Sequence, residues 1–456
     1  MERLVLFGTY FLVLSCIPFY QVFAKDFEVV TPEEAGFSSD KLAEIKDRFD
    51  ALYEDGRIPN YVIGLYNGNQ RFYSAMRGNT KLEGGTPVDL DTIYPLASMT
   101  KPVASTAIFR LIQDGYLSLD TKLSKFYPLF KNMFVAPNGS FEENFEEAKR
   151  EITIKDLLTH TSGFTYQTFV TGRGDIAKQY DDLKVFRNWE SVTLDQHMDL
   201  LSQIPLVAHP GETFTYSVST DVLSAVVTKV TGMRLGEYLK MILFEPLSMS
   251  NSGFYVDPEK LDNFAEYYRQ KPGVDMVSPM TISTDFQKAH KLESVTSDSE
   301  IVWKITEGNM FNVPVQTTQT TYDSGARGLH GSINDYAKYL AMILNAGEFE
   351  GTQVLSKETR DIHLSDLTPQ LTSENFRRGF GEGAAFMKFG GGYGIKYLAD
   401  EGEKSDVDYH FWGGAHNTFF WVDLANGHIG VFATNHSPPQ YNISDSIEQI
   451  VDSAKL

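Results

Sequence analysis

The chain has 456 residues, of which 42% are hydrophobic and 22% charged, ordinary proportions for a soluble protein able to bury a large core. Its formal net charge of −20 at pH 7 disfavours nucleic acid and anionic membrane surfaces as partners. The single cysteine, Cys16, lies near the N-terminus.

The N-terminus reads as a targeting segment. Arg3 precedes an apolar run from Leu4 to Phe23, and Val22-Phe23-Ala24 ends on a small residue. Cleavage after Ala24 predicts a signal peptide over 1–24 and an exported protein, periplasmic or secreted, with no stable membrane insertion. The mature chain, 25–456, then has no cysteine for a disulfide, a thiol nucleophile or a metal ligand. The alternatives are an uncleaved spanning helix and lipoprotein cleavage before Cys16, whose preceding Leu14 fits that pattern poorly.

In chain order, residues 38–55 read as an amphipathic helix capped by Ser38 or Ser39 and closed by Gly56. Tyr61 to Tyr66 and Arg71 to Ala75 read as strands joined around Asn67-Gly68, a favoured hairpin pair. Thr92 to Leu96 leads into an apolar helix that reaches Gly115. Phe141 to Arg150 is charge-rich and reads as a solvated helix. Leu194 to Leu201, Asp221 to Val230, Leu235 to Leu243 and Ile333 to Leu344 read as helices, the second capped by Ser219 or Thr220. Residues 265–327 are polar and predict a long loop region, and the glycine-rich 378–394 stretch predicts irregular backbone. Tyr409 to Trp412, Thr418 to Asp423 and His428 to Thr434 read as strands. A last helix carries Ile443, Ile447, Ile450 and Val451 on one face. The fold class is α/β of the α+β kind: an antiparallel sheet from about 25–97 and 346–456, flanked by helices, with a mostly helical lobe inserted over about 98–345.

The chemistry concentrates at Ser98-Met99-Thr100-Lys101-Pro102. Proline fits a helix only in its first turn, so the helix begins just before Pro102. Ser98 then sits where free N–H groups and the positive dipole end favour developing negative charge, with Lys101 one turn on. The motif alone is weak, since about two chance S-x-x-K matches are expected at this length. A second one is present, Ser38-Ser39-Asp40-Lys41, and it reads as a helix cap. A serine–lysine nucleophile needs another proton-transfer group and an oxyanion hole. Tyr216 sits in a polar loop before the Asp221 helix, where it can point into a cleft; alone, it reads better as a core tyrosine. Phe411-Trp412-Gly413-Gly414-Ala415 places two glycines in a strand, which permits close approach of a ligand or marks a bulge. There is no G-x-S-x-G elbow, H-E-x-x-H zinc helix or Walker loop, so no metal or cofactor is expected.

Together these segments resemble the serine β-lactamase and penicillin-binding protein superfamily, in its class C-like branch that includes the family VIII carboxylesterases. The likeness runs through Ala97 to Pro102, Asp156 to Gly163, Tyr216-Ser217 with Asp221-Val222-Leu223, Gly328-Leu329, and Trp412 to Ala415. It implies a sheet beside a helical domain with the site in the cleft. It also implies Ser98 as acylated nucleophile, Lys101 and Tyr216 as the pair that moves its proton, and the N–H groups of Ser98 and Ala415 as oxyanion hole. Trp412, Gly413 and Gly414 would line the substrate. Either Lys101 is the base, which requires about 4–5 kcal/mol to bring its pKa near 7, or it stays charged and supports a tyrosinate at Tyr216. Two departures bear on substrate. Val218 stands where the class C pattern has asparagine, and Trp412 replaces the lysine of Lys-Thr-Gly that helps hold a substrate carboxylate. Trp412 and Val218 in the cleft favour a small ester. The alternatives are an amide such as a β-lactam or D-alanyl peptide, and a non-catalytic scaffold of the same fold. His410 and His416 share a face with Trp412 and Gly414 and read as polar rim residues; His160 reads as structural.

Overall fold

The computed structural model describes residues 26–82, 84–142, 144–168, 170–187, 191–270, 292–294, 302–305, 319–372, 375–376, 387–397, 407–437 and 443–456. The expected leader with Cys16, most of the 265–327 segment and much of the glycine-rich stretch lie outside these residues.

An eight-stranded sheet joins the two ends of the chain. Its strands are β1 (Glu28–Val29), β2 (Asn60–Asn67), β3 (Gln70–Gly78), β4 (Met387–Phe389), β5 (Gly394–Tyr397), β6 (Val407–Gly414), β7 (Thr418–Asp423) and β8 (His428–Ala433). The spatial order is β1-β3-β2-β8-β7-β6-β5-β4, antiparallel except for the short β1–β3 pair. The junction between the N- and C-terminal strands is β2 against β8, with Val62 opposite Ala433. In the β2–β3 hairpin Asn67 pairs with Gln70, so the two turn residues are Gly68 and Asn69, one position later than expected. Gly68 takes φ +58°, the left-handed conformation such a turn demands.

Alternation along the strands gives the sheet two buried faces. Tyr61, Ile63, Leu65, Trp421 and Phe432 pack under α1 (Ser39–Glu54) and the C-terminal helix Ile443–Ala454. Val62, Tyr66, Phe420, Val422, Ile429 and Val431 point the other way, into the core shared with the remaining helices. Each such aliphatic or aromatic side chain contributes about 1.5–3 kcal/mol on burial. On this second face lies the helix Ile333–Leu344, in contact with β2 and β8. Its Tyr336 donates to the Met99 carbonyl at 2.9 Å, tying the sheet to the segment that carries Ser98.

Two local expectations are corrected. Phe141 to Arg150 is not helical: Glu146–Glu147 forms a short strand against Phe134–Val135, and Arg150 reaches back to grip the buried Asp156 at 2.6 and 2.8 Å. The helix carrying Asp221 begins at Ser219, so neither Ser219 nor Thr220 is its cap. Val218 occupies that position, and the Ser217 hydroxyl accepts the Ser219 N–H at 3.4 Å. Among the described residues no helix is long and apolar enough to cross a membrane.

Candidate active site

The Ser98 helix starts as the proline requires. A 3₁₀ turn over Ala97–Met99 runs into α2, the helix Thr100–Gln113, and Gly115 follows at φ +76°. Ala97, just before Ser98, is held at φ +46°, a conformation costly for a residue with a Cβ. Thr100 holds it there: its hydroxyl donates to the Ala97 carbonyl at 2.6 Å and accepts the Leu329 N–H at 3.0 Å. The strained turn lifts Ser98 into partial exposure while Ala97, Met99 and Lys101 stay buried.

Three sequence-selected residues converge. The Tyr216 hydroxyl donates to Ser98 Oγ at 2.9 Å, and Lys101 Nζ lies 3.2 Å from the same oxygen. Lys101 Nζ also donates to the Ala326 carbonyl at 2.8 Å. It sits 4.6 Å from the centroid of the Tyr216 ring and 5.6 Å from that of Tyr166. Burial brings the Lys101 pKa down to about 7; the Asp221 carboxylate opposes that shift and the Arg327 charge adds to it. Its place in the first turn of α2, at the positive dipole end, works in the same direction. Burial pushes the Tyr216 hydroxyl well above the usual phenol range, and its hydrogen bond to Ser98 only partly offsets this.

The glycine strand lies against the segment preceding Ser98. A Cβ at Gly414 would stand 2.2 Å from Thr418 Oγ1 and 2.4 Å from the Leu96 carbonyl oxygen, so only glycine fits. Thr418 Oγ1 donates to the same carbonyl at 3.3 Å. This contact sets Ala415, the next residue, beside the Ser98 turn. Gly413 pairs with Phe419 in the β6–β7 ladder. Trp412 is almost wholly buried, with its ring 5.6 Å from Tyr216 and 5.0 Å from Phe389. It stands behind Tyr216, whose hydroxyl it helps to hold, and offers substrate little surface. Val218, expected beside it in the cleft, instead packs in the core with 1% of its surface exposed. The N-cap geometry of the Ser219 helix turns it inward.

Neither histidine is a rim residue: His410 lies on β6, whereas His416 falls in the turn that follows the strand. His410 and His416 are buried, and burial lowers both pKa values to about 4. His410 Nε2 donates to the Leu364 carbonyl at 2.8 Å and His416 Nδ1 to the Pro95 carbonyl at 3.2 Å. The β6 alternation was legible; that its second face is covered was not. His160 is structural, as expected: its Nδ1 accepts the Ser217 N–H at 3.2 Å, fixing the loop that delivers Tyr216. Among the described residues, Ser98 Oγ is hydrogen-bonded by Lys101 and Tyr216, and by no histidine.

Sequence reasoning missed three contributors: Ala326, which acts through its carbonyl and so leaves no side-chain signal, Tyr166 and Asp221. The last was visible as the aspartate five residues after Tyr216, but its bonds to the 324–326 loop were not.

Known proteins are similar to this chain. A family model described as Beta-lactamase matches residues 45–451. Esterase EstB of Burkholderia gladioli is 26% identical over 424 residues, covering 88% of this chain and 93% of EstB. A putative D-alanyl-D-alanine carboxypeptidase of Escherichia coli K12 is 26% identical over 375 residues, covering 79% of this chain and 76% of that protein. The solved structure of EstCE1, a hydrolase with promiscuous acyltransferase activity, superposes with a TM-score of 0.68 at 22% identity. It covers 92% of this chain and 99% of EstCE1, a likeness of fold. With its strained Ser98 turn, its paired Lys101 and Tyr216 and its glycine strand, the chain belongs to the beta-lactamase family of hydrolases.

Proposed function

We propose that the protein is a serine hydrolase that cleaves a small carboxylic ester through an acyl-enzyme on Ser98. The observation that carries this reading is the pair of hydrogen bonds that Ser98 Oγ makes with Lys101 and Tyr216, at 3.2 and 2.9 Å. A lysine titrating at about 7 is half neutral at physiological pH. Neutral Lys101 takes the Ser98 proton as the Oγ–carbon bond forms. The resulting oxyanion lies between the Ser98 and Ala415 N–H groups, each worth roughly 3–4 kcal/mol in the transition state. The leaving alkoxide takes its proton from protonated Lys101 through the Tyr216 hydroxyl. Water then attacks the acyl carbon, Lys101 again accepts a proton, and Ser98 is restored as the acid departs. Burial favours this order over a tyrosinate base, because it lowers the lysine pKa and raises that of Tyr216.

Support for the ester comes from position 412, where Trp412 leaves no charge in place of the class C lysine that holds a substrate carboxylate, and from the similarity to EstB. Short-chain p-nitrophenyl esters assayed beside a chromogenic β-lactam test the substrate class. Ester turnover without lactam turnover is expected. Lactam turnover alone replaces the ester with an amide substrate, and no turnover with no fluorophosphonate labelling of Ser98 indicates a non-catalytic scaffold.

A further inference from the structure

The Lys101 amine is held from two sides, and only one of them is Ser98. The other is the carbonyl of Ala326, in a buried loop that contributes no reactive side chain to the triangle. That loop is fixed from the helix Ser219–Thr231. Asp221 Oδ1 accepts the Ser324 hydroxyl at 2.6 Å and the Ala326 N–H at 3.3 Å. One turn on, Ser224 Oγ accepts the Gly325 N–H at 3.0 Å. A Cβ at Gly325 would stand 2.4 Å from Ser224 Oγ and 2.6 Å from the Thr220 carbonyl, so the loop backbone lies directly on that helix. Ala326 is thus gripped at its N–H by Asp221, and its carbonyl, on the next peptide unit, accepts from Lys101. Asp221 is 1% exposed, and burial raises its pKa against the Arg327 and Lys101 charges and the two hydrogen bonds it accepts.

We propose that Asp221 is a positioning residue for the Ser98 nucleophile, holding the Ala326 carbonyl on Lys101 so that the amine stays within reach of Ser98 Oγ. This rests on the reading of Ser98 and Lys101 given above. The carboxylate has a second, electrostatic effect, since its negative charge favours protonated Lys101. The other groups around the amine are Arg327 from the loop, whose charge opposes protonation, the Tyr216 and Tyr166 rings, and His160, which burial and the Lys101 charge keep neutral. Arg327 is itself tied to the Phe186 carbonyl at 2.7 Å.

The test uses the rate of Ser98 labelling by a fluorophosphonate as a function of pH, which requires no knowledge of the natural substrate. The parent protein should show an acid limb as Lys101 protonates. In Asp221→Asn the carboxamide oxygen still accepts both hydrogen bonds but the charge is gone. Labelling at pH 8 should stay within about threefold of the parent, with the acid limb moved to lower pH by roughly one unit. In Asp221→Ala the grip is lost, and labelling at pH 8 should fall at least about tenfold. Should the alanine variant fail to fold, Asp221→Ser, too short to reach the Ala326 N–H, takes its place with the same expected fall. An acid limb that stays in place or rises in Asp221→Asn overturns the electrostatic part of the proposal while leaving the nucleophile intact. Folded Asp221→Ala that labels at the parent rate does the same. Absence of labelling in the parent overturns the Ser98 reading itself, and this inference with it.

Discussion

The chain contains the S-x-x-K pattern twice, and the two copies behave oppositely. At Ser38–Lys41 the serine caps α1, its hydroxyl accepting the Lys41 N–H at 3.4 Å. Lys41 there is 52% exposed and pairs with Glu44. At Ser98–Lys101 the serine stands in a strained turn, the lysine is 1% exposed, and a tyrosine from a distant loop closes the triangle. Spacing is the same; burial and the third partner differ. Burial of Lys101 lowers its pKa to about 7, which makes it a usable base. The chemistry therefore resides in what surrounds the pattern.

The sharpest way to break this contrast is to delete each serine. Ser98→Ala should cost on the order of 10⁴-fold or more in kcat/KM for a p-nitrophenyl ester, with no comparable loss in Ser38→Ala. Next comes the lysine pair: Lys101→Met should lower kcat by about 10²–10⁴-fold, while Lys41→Met leaves it unchanged. Gly414→Ala forces a Cβ against Thr418 and Leu96 and should displace Ala415 from the Ser98 turn. A loss of roughly 10²-fold in kcat, with KM little altered, is the expected signature of a damaged oxyanion hole. Below pH 7 the rate should fall about tenfold per pH unit as Lys101 takes up a proton, with a plateau above. His410 and His416, neutral down to about pH 4, add no step in that range. Smallest is the cap: Ser38→Ala should cost about 1 kcal/mol of stability, seen as a lowered Tm at unchanged activity.

Much of this was legible beforehand, for reasons that differ by element. Pro102 placed the start of α2, because proline constrains local backbone whatever surrounds it. The strands from both ends were read from alternation, and their union in one sheet followed from the need to bury two faces. Legibility stopped where side chains meet partners from elsewhere in the chain. His410 and His416 looked like rim residues because β6 alternates; that Leu364 and Pro95 carbonyls cover them depends on distant backbone. Val218 looked like a cleft wall, but the N-cap geometry of its helix turns it into the core. Phe141 to Arg150 carried helix-like charge, yet Arg150 is drawn to the buried Asp156. Ala326 acts through a carbonyl, which every residue possesses, so no sequence pattern marks it.

The central claim is that Ser98, and not its sequence twin Ser38, becomes acylated. Brief exposure of the protein to a short-chain p-nitrophenyl ester, an acid quench, and intact-mass measurement with peptide mapping test it directly. The account predicts one acyl group, on the peptide carrying Ser98, absent in Ser98→Ala and retained in Ser38→Ala. Ester turnover with the acyl group on another residue, or turnover that survives in Ser98→Ala, would contradict it.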